Sequence, residues 1–208
     1  MLKISESTRK RLVQLSQILN QTKAERVTSV KISELTGWSS AVIRKDICAL
    51  GYKGGVSNGY NVRELQQAIV NSLGLSGSNG QGQNSGHKCC IVGLGKLGGA
   101  LLENSIFFDT PFSIVAGFDA NVNRVEILSA SFPLYPASRM ESVIPAGKIE
   151  FAILTVENQH AQALADRLVK CGIKGIVNYT NVVLSLPKEV AVENVSPVTA
   201  LTNLLSKQ

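Results

Sequence analysis

The chain has 208 residues, of which 44% are hydrophobic, and a formal net charge of +6. That length allows two modest domains, each near the size at which a single core becomes adequate. No run approaches the roughly 18 consecutive apolar residues that a membrane span needs, and Met1-Leu2-Lys3-Ile4-Ser5-Glu6 lacks the apolar stretch of a secretory signal, so a cytoplasmic protein without membrane association is expected. Cys48, Cys89, Cys90 and Cys171 show no C-x-x-C spacing, and strand alternation would send the adjacent pair to opposite faces, so reduced core thiols are expected, not a redox pair.

The charge is unevenly placed. Residues 1–70 hold eleven Lys and Arg against five Asp and Glu, whereas residues 71–208 hold ten against ten. An N-terminal module that neutralises phosphates would show this asymmetry, and so would a basic solvated face.

In chain order, Leu12, Leu15, Ile18 and Leu19 recur at helical spacing after the capping candidates Ser5 to Thr8. A short second helix is predicted over Lys31 to Leu35, ended by Thr36-Gly37-Trp38. Ser39-Ser40 then cap a third helix running to about Leu50. Helix, tight glycine turn, helix is the outline of a helix-turn-helix. In the third helix Ile43, Ile47 and Leu50 form an apolar stripe, while Ala41, Arg44, Lys45 and Cys48 share another face that is free to enter a groove. Gly51 to Val62 reads as a β-wing, with Asn58-Gly59 suited to a turn of positive φ. A fourth helix over Arg63 to Leu73 closes the domain through Leu65, Ala68, Ile69 and Leu73.

The glycine- and serine-rich stretch after it has a linker composition. Beyond it, apolar runs at Ile114 to Phe118, Phe151 to Val156, Gly175 to Asn178 and Val190 to Val195 alternate with helical patterns, of which Gln159 to Lys170, ended by Gly172, is the clearest. That alternation implies a parallel sheet covered on both faces. Four segments are expected: a DNA-binding domain over 1–75, a linker over 76–87, a dinucleotide-binding domain over 88–195 and a C-terminal helix over 196–208.

Gly93-Leu94-Gly95-Lys96-Leu97-Gly98 follows the apolar run Cys89 to Val92 and precedes a helix-forming stretch. A dinucleotide needs its pyrophosphate close to backbone N–H groups at such a strand-to-helix turn. Gly93 permits the turn, Gly95 leaves space for phosphate, and Gly98 lets helix and strand approach. Asp119, 21 residues beyond Gly98 at the end of the next strand, is placed to accept hydrogen bonds from the adenosine ribose and to repel a 2′-phosphate, which favours NAD(H) over NADP(H). The competing role for Asp119 is to cap the loop before Arg124, which is expected to be a solvated loop residue, with facing a phosphate as the alternative. Hydride-transfer catalysis would need a proton donor or acceptor. The histidines are His87, in the linker, and His160, expected as a surface or first-turn cap residue. No Ser/Lys/Tyr or Cys/His constellation is present, and the chain is not expected to be an enzyme.

Taken together, Arg44-Lys45-Asp46, Gly59-Tyr60-x-Val62, the glycine motif, Phe118-Asp119, Leu154-Thr155-Val156, Gly172 to Tyr179 and Val190 to Val195 resemble the redox-sensing transcriptional repressor Rex family, in the same order and over nearly the whole chain. The resemblance implies an α/β architecture: an N-terminal winged helix-turn-helix, a Rossmann-type doubly wound parallel sheet and a C-terminal helix, here Pro197 to Leu205, that crosses to a partner subunit. It further implies a bacterial homodimer that binds a palindromic operator and is released when NADH replaces NAD⁺. On this resemblance Thr155, Val156, Asn178 and Tyr179 join Gly93 to Gly98 and Asp119 at the nucleotide. Arg44 and Lys45 enter the groove, and Ser39, Ser40, Lys53, Gly59 and Tyr60 lie near phosphates. An intradomain ion pair of Arg44 with Asp46 or Glu34 is the alternative.

The sequence departs from the family at a relay. A first-helix arginine, an aromatic residue after the glycine-loop helix and an aspartate heading the C-terminal helix are replaced by Gln17, Asn104 and Ser196, among which no charged pair can form. The aromatic residue beside the nicotinamide becomes Pro197, and the wing's usual basic residue falls at Val56, near Lys53. A redox response that is lost or altered is therefore expected. Two other readings stay open: a regulator binding CoA or another nucleotide, and a nicotinamide-dependent oxidoreductase with a DNA-binding-like domain.

Overall fold

The computed structural model describes residues 4–52, 54–55, 58–74, 86–103, 107 and 110–206. Lys53, Val56, Asn104 and residues 76–85 of the expected linker lie outside the described residues. The chain divides into two compact units, Met1–Ser76 and Gly77–Gln208.

In the first unit α1 (Glu6–Gln21) starts where the Ser5 hydroxyl accepts the Thr8 N–H at 3.2 Å. A two-residue strand, β1 (Arg26–Val27), precedes α2 (Ser29–Thr36), which is capped by Thr28 and ended by Gly37. The Ser39 hydroxyl caps α3 (Ser40–Ala49), so the short polar residues placed before each helical pattern do satisfy orphan N–H groups there. Next, β2 (Tyr60–Asn61) pairs antiparallel with β1, and α4 (Val62–Leu73) follows, capped by Asn61. Leu12, Leu19, Ile32, Ile43, Leu65 and Ile69 are buried in one core, at roughly 1.5–3 kcal/mol for each side chain withdrawn from water. This core fixes which face of α3 points outward.

The second unit contains β3 (His87–Val92), α5 (Lys96–Ala100), β4 (Phe112–Asp119), α6 (Val122–Ile127), β5 (Leu134–Pro136) and a 3-10 turn (Ala137–Arg139). Then come α7 (Met140–Gly147), β6 (Phe151–Leu154), α8 (Asn158–Lys170), β7 (Gly175–Asn178), β8 (Ala191–Asn194) and α9 (Pro197–Leu205). The six strands lie in the order β5-β4-β3-β6-β7-β8, all parallel. Strand order reverses between β3 and β6, and in such sheets the ligand crevice opens there, at the carboxyl ends. Cys90 and Val92 pack with Ile144, Ala161 and Leu168 on one face, while Cys89 and Ile91 pack with Leu94 and Leu102 on the other.

The strand boundaries differ in detail from the apolar runs. His87 opens β3 instead of ending a linker: its N–H donates to the Pro111 carbonyl at 2.7 Å, and its ring Nδ1 lies 2.8 Å from Glu150 Oε2. Strand β6 ends at Leu154; the next residue, Thr155, still donates its N–H to the Val92 carbonyl at 2.9 Å, and its hydroxyl donates to the Gly93 carbonyl at 2.6 Å.

Candidate nucleotide and nucleic-acid sites

At the carboxyl ends of β3, β4 and β6 a cavity of about 710 Å³ is walled by Gly93, Gly95, Lys96, Asp119, Thr155 and Val156, joined by Asn121, Arg124, Ala137, Glu157, His160, Leu164 and Arg167. Gly93 turns the chain at φ +95°, and a Cβ there would lie 2.6 Å from Val156 Cγ1. A Cβ on Gly98 would overlap the Gly93 carbonyl oxygen, so only glycine lets α5 start this close to β3. At Gly95, by contrast, a Cβ would meet nothing within 4 Å. The loop therefore leaves open space beside the first-turn N–H groups of α5, which lack intrahelical partners. A pyrophosphate fits that arrangement. Because α5 has only five residues, its N–H groups matter more than its macrodipole.

Asp119 does more than await a ribose. It is buried; its Oδ2 accepts the Leu94 N–H at 2.6 Å, and its Oδ1 accepts the Asn121 N–H at 2.7 Å. The carboxylate thus ties the glycine loop to the β4–α6 loop, so the capping role considered for it is present in full. Arg124 is not simply solvated either, because its guanidinium lies 3.0 Å from Asp119 Oδ2. Across the cavity Arg167 pairs with both oxygens of Glu141, at 2.7 and 3.0 Å, and donates to the Ala137 carbonyl. The hydrogen bond from Arg167 holds the Glu141 carboxyl below its ordinary range.

The remaining nucleotide candidates lie off this wall. The Leu94 side chain is in the core, while that of Leu97 is 46% exposed. Asn178 is fully buried, donating to the Val182 carbonyl and to Asn194 Oδ1 and accepting from Thr180; with Tyr179 it fixes the end of β7. Arg167 carries no signal in the sequence that places it at the cavity, whereas Arg124, for which facing a phosphate is the alternative to a solvated loop position, and His160, expected at the surface, both line it. For His160 the available signal was its place in the first turn of a helix that follows a carboxyl strand end.

In the first unit Ala41, Arg44, Lys45 and Cys48 are all exposed on α3. The carboxylates that could capture Arg44 have other partners: Asp46 holds Arg11, and Glu34 holds Lys31. Arg44 instead reaches the Ser29 hydroxyl at 3.3 Å, and Ser40 donates to the Ser29 carbonyl. Arg44, Cys48, Tyr52, Gly59 and Tyr60 line a shallow cleft of about 360 Å³ between α3 and the wing. Gly59 has φ +74°, as the Asn58-Gly59 turn requires, and Arg26 binds the Asn58 carbonyl at 3.0 Å from beneath. Tyr60 is buried, and burial pushes its phenol pKa up. Its backbone is paired with Val27 of β1, and the residue lines the cleft beside Arg44. Of the relay positions, Gln17 is exposed on α1, and Ser196 caps α9 through the Thr199 N–H, followed by Pro197 as the first residue of α9.

The family model described as "Putative DNA-binding protein N-terminus" matches residues 3–48, and the CoA binding domain model matches residues 84–182. The redox-sensing transcriptional repressor Rex of Limosilactobacillus reuteri (strain DSM 20016) is 35% identical over 206 residues, 98% of this chain and 92% of that one. Rex of Exiguobacterium sp. (strain ATCC BAA-1283 / AT1b) is 34% identical over 98% of this chain and 91% of its own. Among solved structures, RSP, a Rex-family repressor, is 28% identical with a TM-score of 0.83, covering 98% of this chain and 93% of RSP. The complex of RSP with β-NAD⁺ and operator DNA gives a TM-score of 0.85 at 28% identity, over 98% and 92% of the two chains, and the complex with β-NADH gives 0.82 at the same identity, over 100% and 95%. The winged unit, the glycine-loop sheet and kinship along nearly the whole length agree: the chain belongs to the Rex family of redox-sensing transcriptional repressors, and not to a family of enzymes.

Proposed function

We propose that this chain represses transcription by binding a palindromic operator as a homodimer in the cytoplasm, with NAD(H) as its effector. The observation that carries the reading is Arg44: a cation with no carboxylate partner among the described residues, on the outward face of α3, in a chain whose other unit holds an open glycine-loop cavity. A guanidinium can read guanine bidentately, while Lys45, Ser39, Ser40, Lys53 and the wing backbone at Gly59 and Tyr60 set position on phosphates. Gly93, Gly95, Lys96, Asp119, Thr155 and Val156 would line the dinucleotide, with Leu94, Leu97 and Gly98 shaping the phosphate turn and Asn178 and Tyr179 bracing the strand end beside it.

The dimer is supported by α9. Val198, Leu201, Leu204 and Leu205 are 58–70% exposed, and no residue of that helix is buried within the chain. A second subunit would cover this face and match operator symmetry. An effector acts only through a difference in affinity between DNA-competent and incompetent states. With Gln17 and Ser196 uncharged, that difference does not pass through an ion pair between them, and the coupling is expected near the low end of the usual range, below about tenfold.

The test is fluorescence anisotropy of the full chain on a palindromic duplex recovered by in vitro selection, over a range of salt. Affinity should fall steeply with salt, as counterion release demands. A chain that binds no duplex even in dilute buffer contradicts the reading.

A further inference from the structure

We infer that Ser29, the first residue of α2, is a positioning residue for base reading: its hydroxyl holds the Arg44 guanidinium in one orientation on the outward face of α3, with the free edge presented to a guanine. The inference rests on the proposed reading of DNA by Arg44 and names the residue that sets it. A long exposed arginine loses rotamer freedom when it docks, and one already ordered in the free protein loses less. Arg44 Nη1 donates to Ser29 Oγ at 3.3 Å, and each side chain is the other's only hydrogen-bonded side-chain partner among the described residues. A hydroxyl orients the cation without cancelling the charge that attracts DNA, whereas a carboxylate would do both. The nearby carboxylates are engaged elsewhere, Asp46 on Arg11 and Glu34 on Lys31. With Nη1 occupied, Nε and Nη2 form the edge that pairs with guanine O6 and N7.

Ser29 is itself held by contacts that leave its hydroxyl to this task. Thr28 does the capping: its side chain accepts the Lys31 N–H at 3.1 Å, and its carbonyl accepts the Ile32 N–H at 3.0 Å. The Ser40 hydroxyl donates to the Ser29 carbonyl at 3.3 Å, which ties the start of α2 to the first residue of α3, one turn ahead of Arg44. Tyr60 lines the same cleft as Ser29 and Arg44. Burial raises its phenol pKa and the Arg44 charge opposes that rise, as a guanidinium near the ring's hydroxyl must. The wing packs closely on that ring, since a Cβ on Gly55 would lie 2.5 Å from Tyr60 Cδ1. Arg44 is therefore ordered between a helix start and a fixed aromatic ring before any DNA arrives.

The test is a double-mutant cycle in the full-length protein, with Kd measured by anisotropy on the selected palindromic duplex and on a random duplex at one salt concentration. Ser29→Ala is expected to lower the ratio of the two affinities about two- to tenfold, the span that ordering one long side chain accounts for. The salt slope should not change, because no charge is lost, and the urea midpoint should stay as it was. Ser29→Thr, which keeps the hydroxyl, should restore most of the ratio. With Arg44→Ala in place, Ser29→Ala should change nothing further. A ratio unaltered by Ser29→Ala overturns the inference. So does weaker binding of both duplexes alike, or an equal loss in the Arg44→Ala background, because Ser29 would then meet the DNA backbone on its own account. In either case, loss of operator preference in Arg44→Ala alone leaves the reading by α3 standing. Operator preference that survives Arg44→Ala removes that reading and the inference with it.

Discussion

Arg11 of α1 and Asp46 of α3 form a two-point ion pair, with Nε 2.6 Å from Oδ2 and Nη2 2.9 Å from Oδ1, and the Thr8 hydroxyl donates to the same carboxylate. Asp46 is buried, and the pair fixes the rotation of the helix that carries Arg44 and Lys45. Removing the cation leaves an uncompensated carboxylate in the core. Arg11→Met is expected to destabilise the first unit by about 3 kcal/mol. Trp38 is the only tryptophan and packs against that core, so its fluorescence in a urea titration reports this unit; an unchanged midpoint contradicts the bracing role.

Arg44→Ala should abolish sequence discrimination, bringing operator affinity to that for random duplex, with dinucleotide affinity measured without DNA as the control for folding. Lys45→Ala should weaken all duplexes alike and lower the salt slope by about one. Operator preference retained by Arg44→Ala would show that α3 does not read the bases.

Cys89 and Cys90 face opposite sides of the sheet. Burial pushes the Cys89 thiol up to about 12 and raises those of Cys90 and Cys171 as well, so all three stay protonated and unreactive near neutrality. Cys48 is exposed. Alkylation of the native chain followed by peptide mass analysis should mark Cys48 alone, and all four thiols after denaturation. Rapid labelling or disulfide formation at Cys89 or Cys90 in the folded protein would contradict the packing.

The Glu150 carboxyl is lowered from 4.5, first by its hydrogen bond from Lys174 at 2.6 Å and then by His87, and Glu141 is lowered by Arg167. A carboxyl more acidic in the folded than in the unfolded state stabilises fully above the unfolded value, and that contribution disappears as pH falls through the folded one. Both groups are partly solvated, so the effect is a fraction of a kcal/mol each. Hydrogen exchange of β6 and β7 peptides should quicken between pH 5 and roughly 3 after correction for intrinsic rates, and Lys174→Ala should flatten that dependence. Identical pH profiles in the two proteins would exclude the ion pair as its source.

The parts of this molecule that repeat a local rule could be read from the sequence. Ser5 and Ser39 cap helices because short hydroxyl side chains stand before apolar residues at helical spacing, and the outward face of α3 follows from the stripe Ile43–Ile47. The glycine motif gave its own geometry, since Gly93 and Gly98 have steric duties that no other residue meets. Strand β1 was not legible: two residues, Arg26 and Val27, carry no periodicity, and they pair with Tyr60 and Asn61 from far along the chain. Neither β5, ending at Pro136, nor α7, with Pro145 inside it, announces itself by pattern. At the site, spacing located Asp119, but the partners that use its oxygens, Leu94, Asn121 and Arg124, come together only when two loops meet.

The most direct measurement is operator affinity of the full-length protein at fixed salt with NAD⁺, with NADH and with neither. The account predicts high-affinity binding of a palindromic duplex by a dimer, saturable dinucleotide binding, and an NADH effect below about tenfold, because Gln17 and Ser196 cannot form a charged switch. An NADH-specific loss of operator affinity of about a hundredfold would contradict the altered coupling, and a protein that takes up no adenine dinucleotide would contradict the regulator itself.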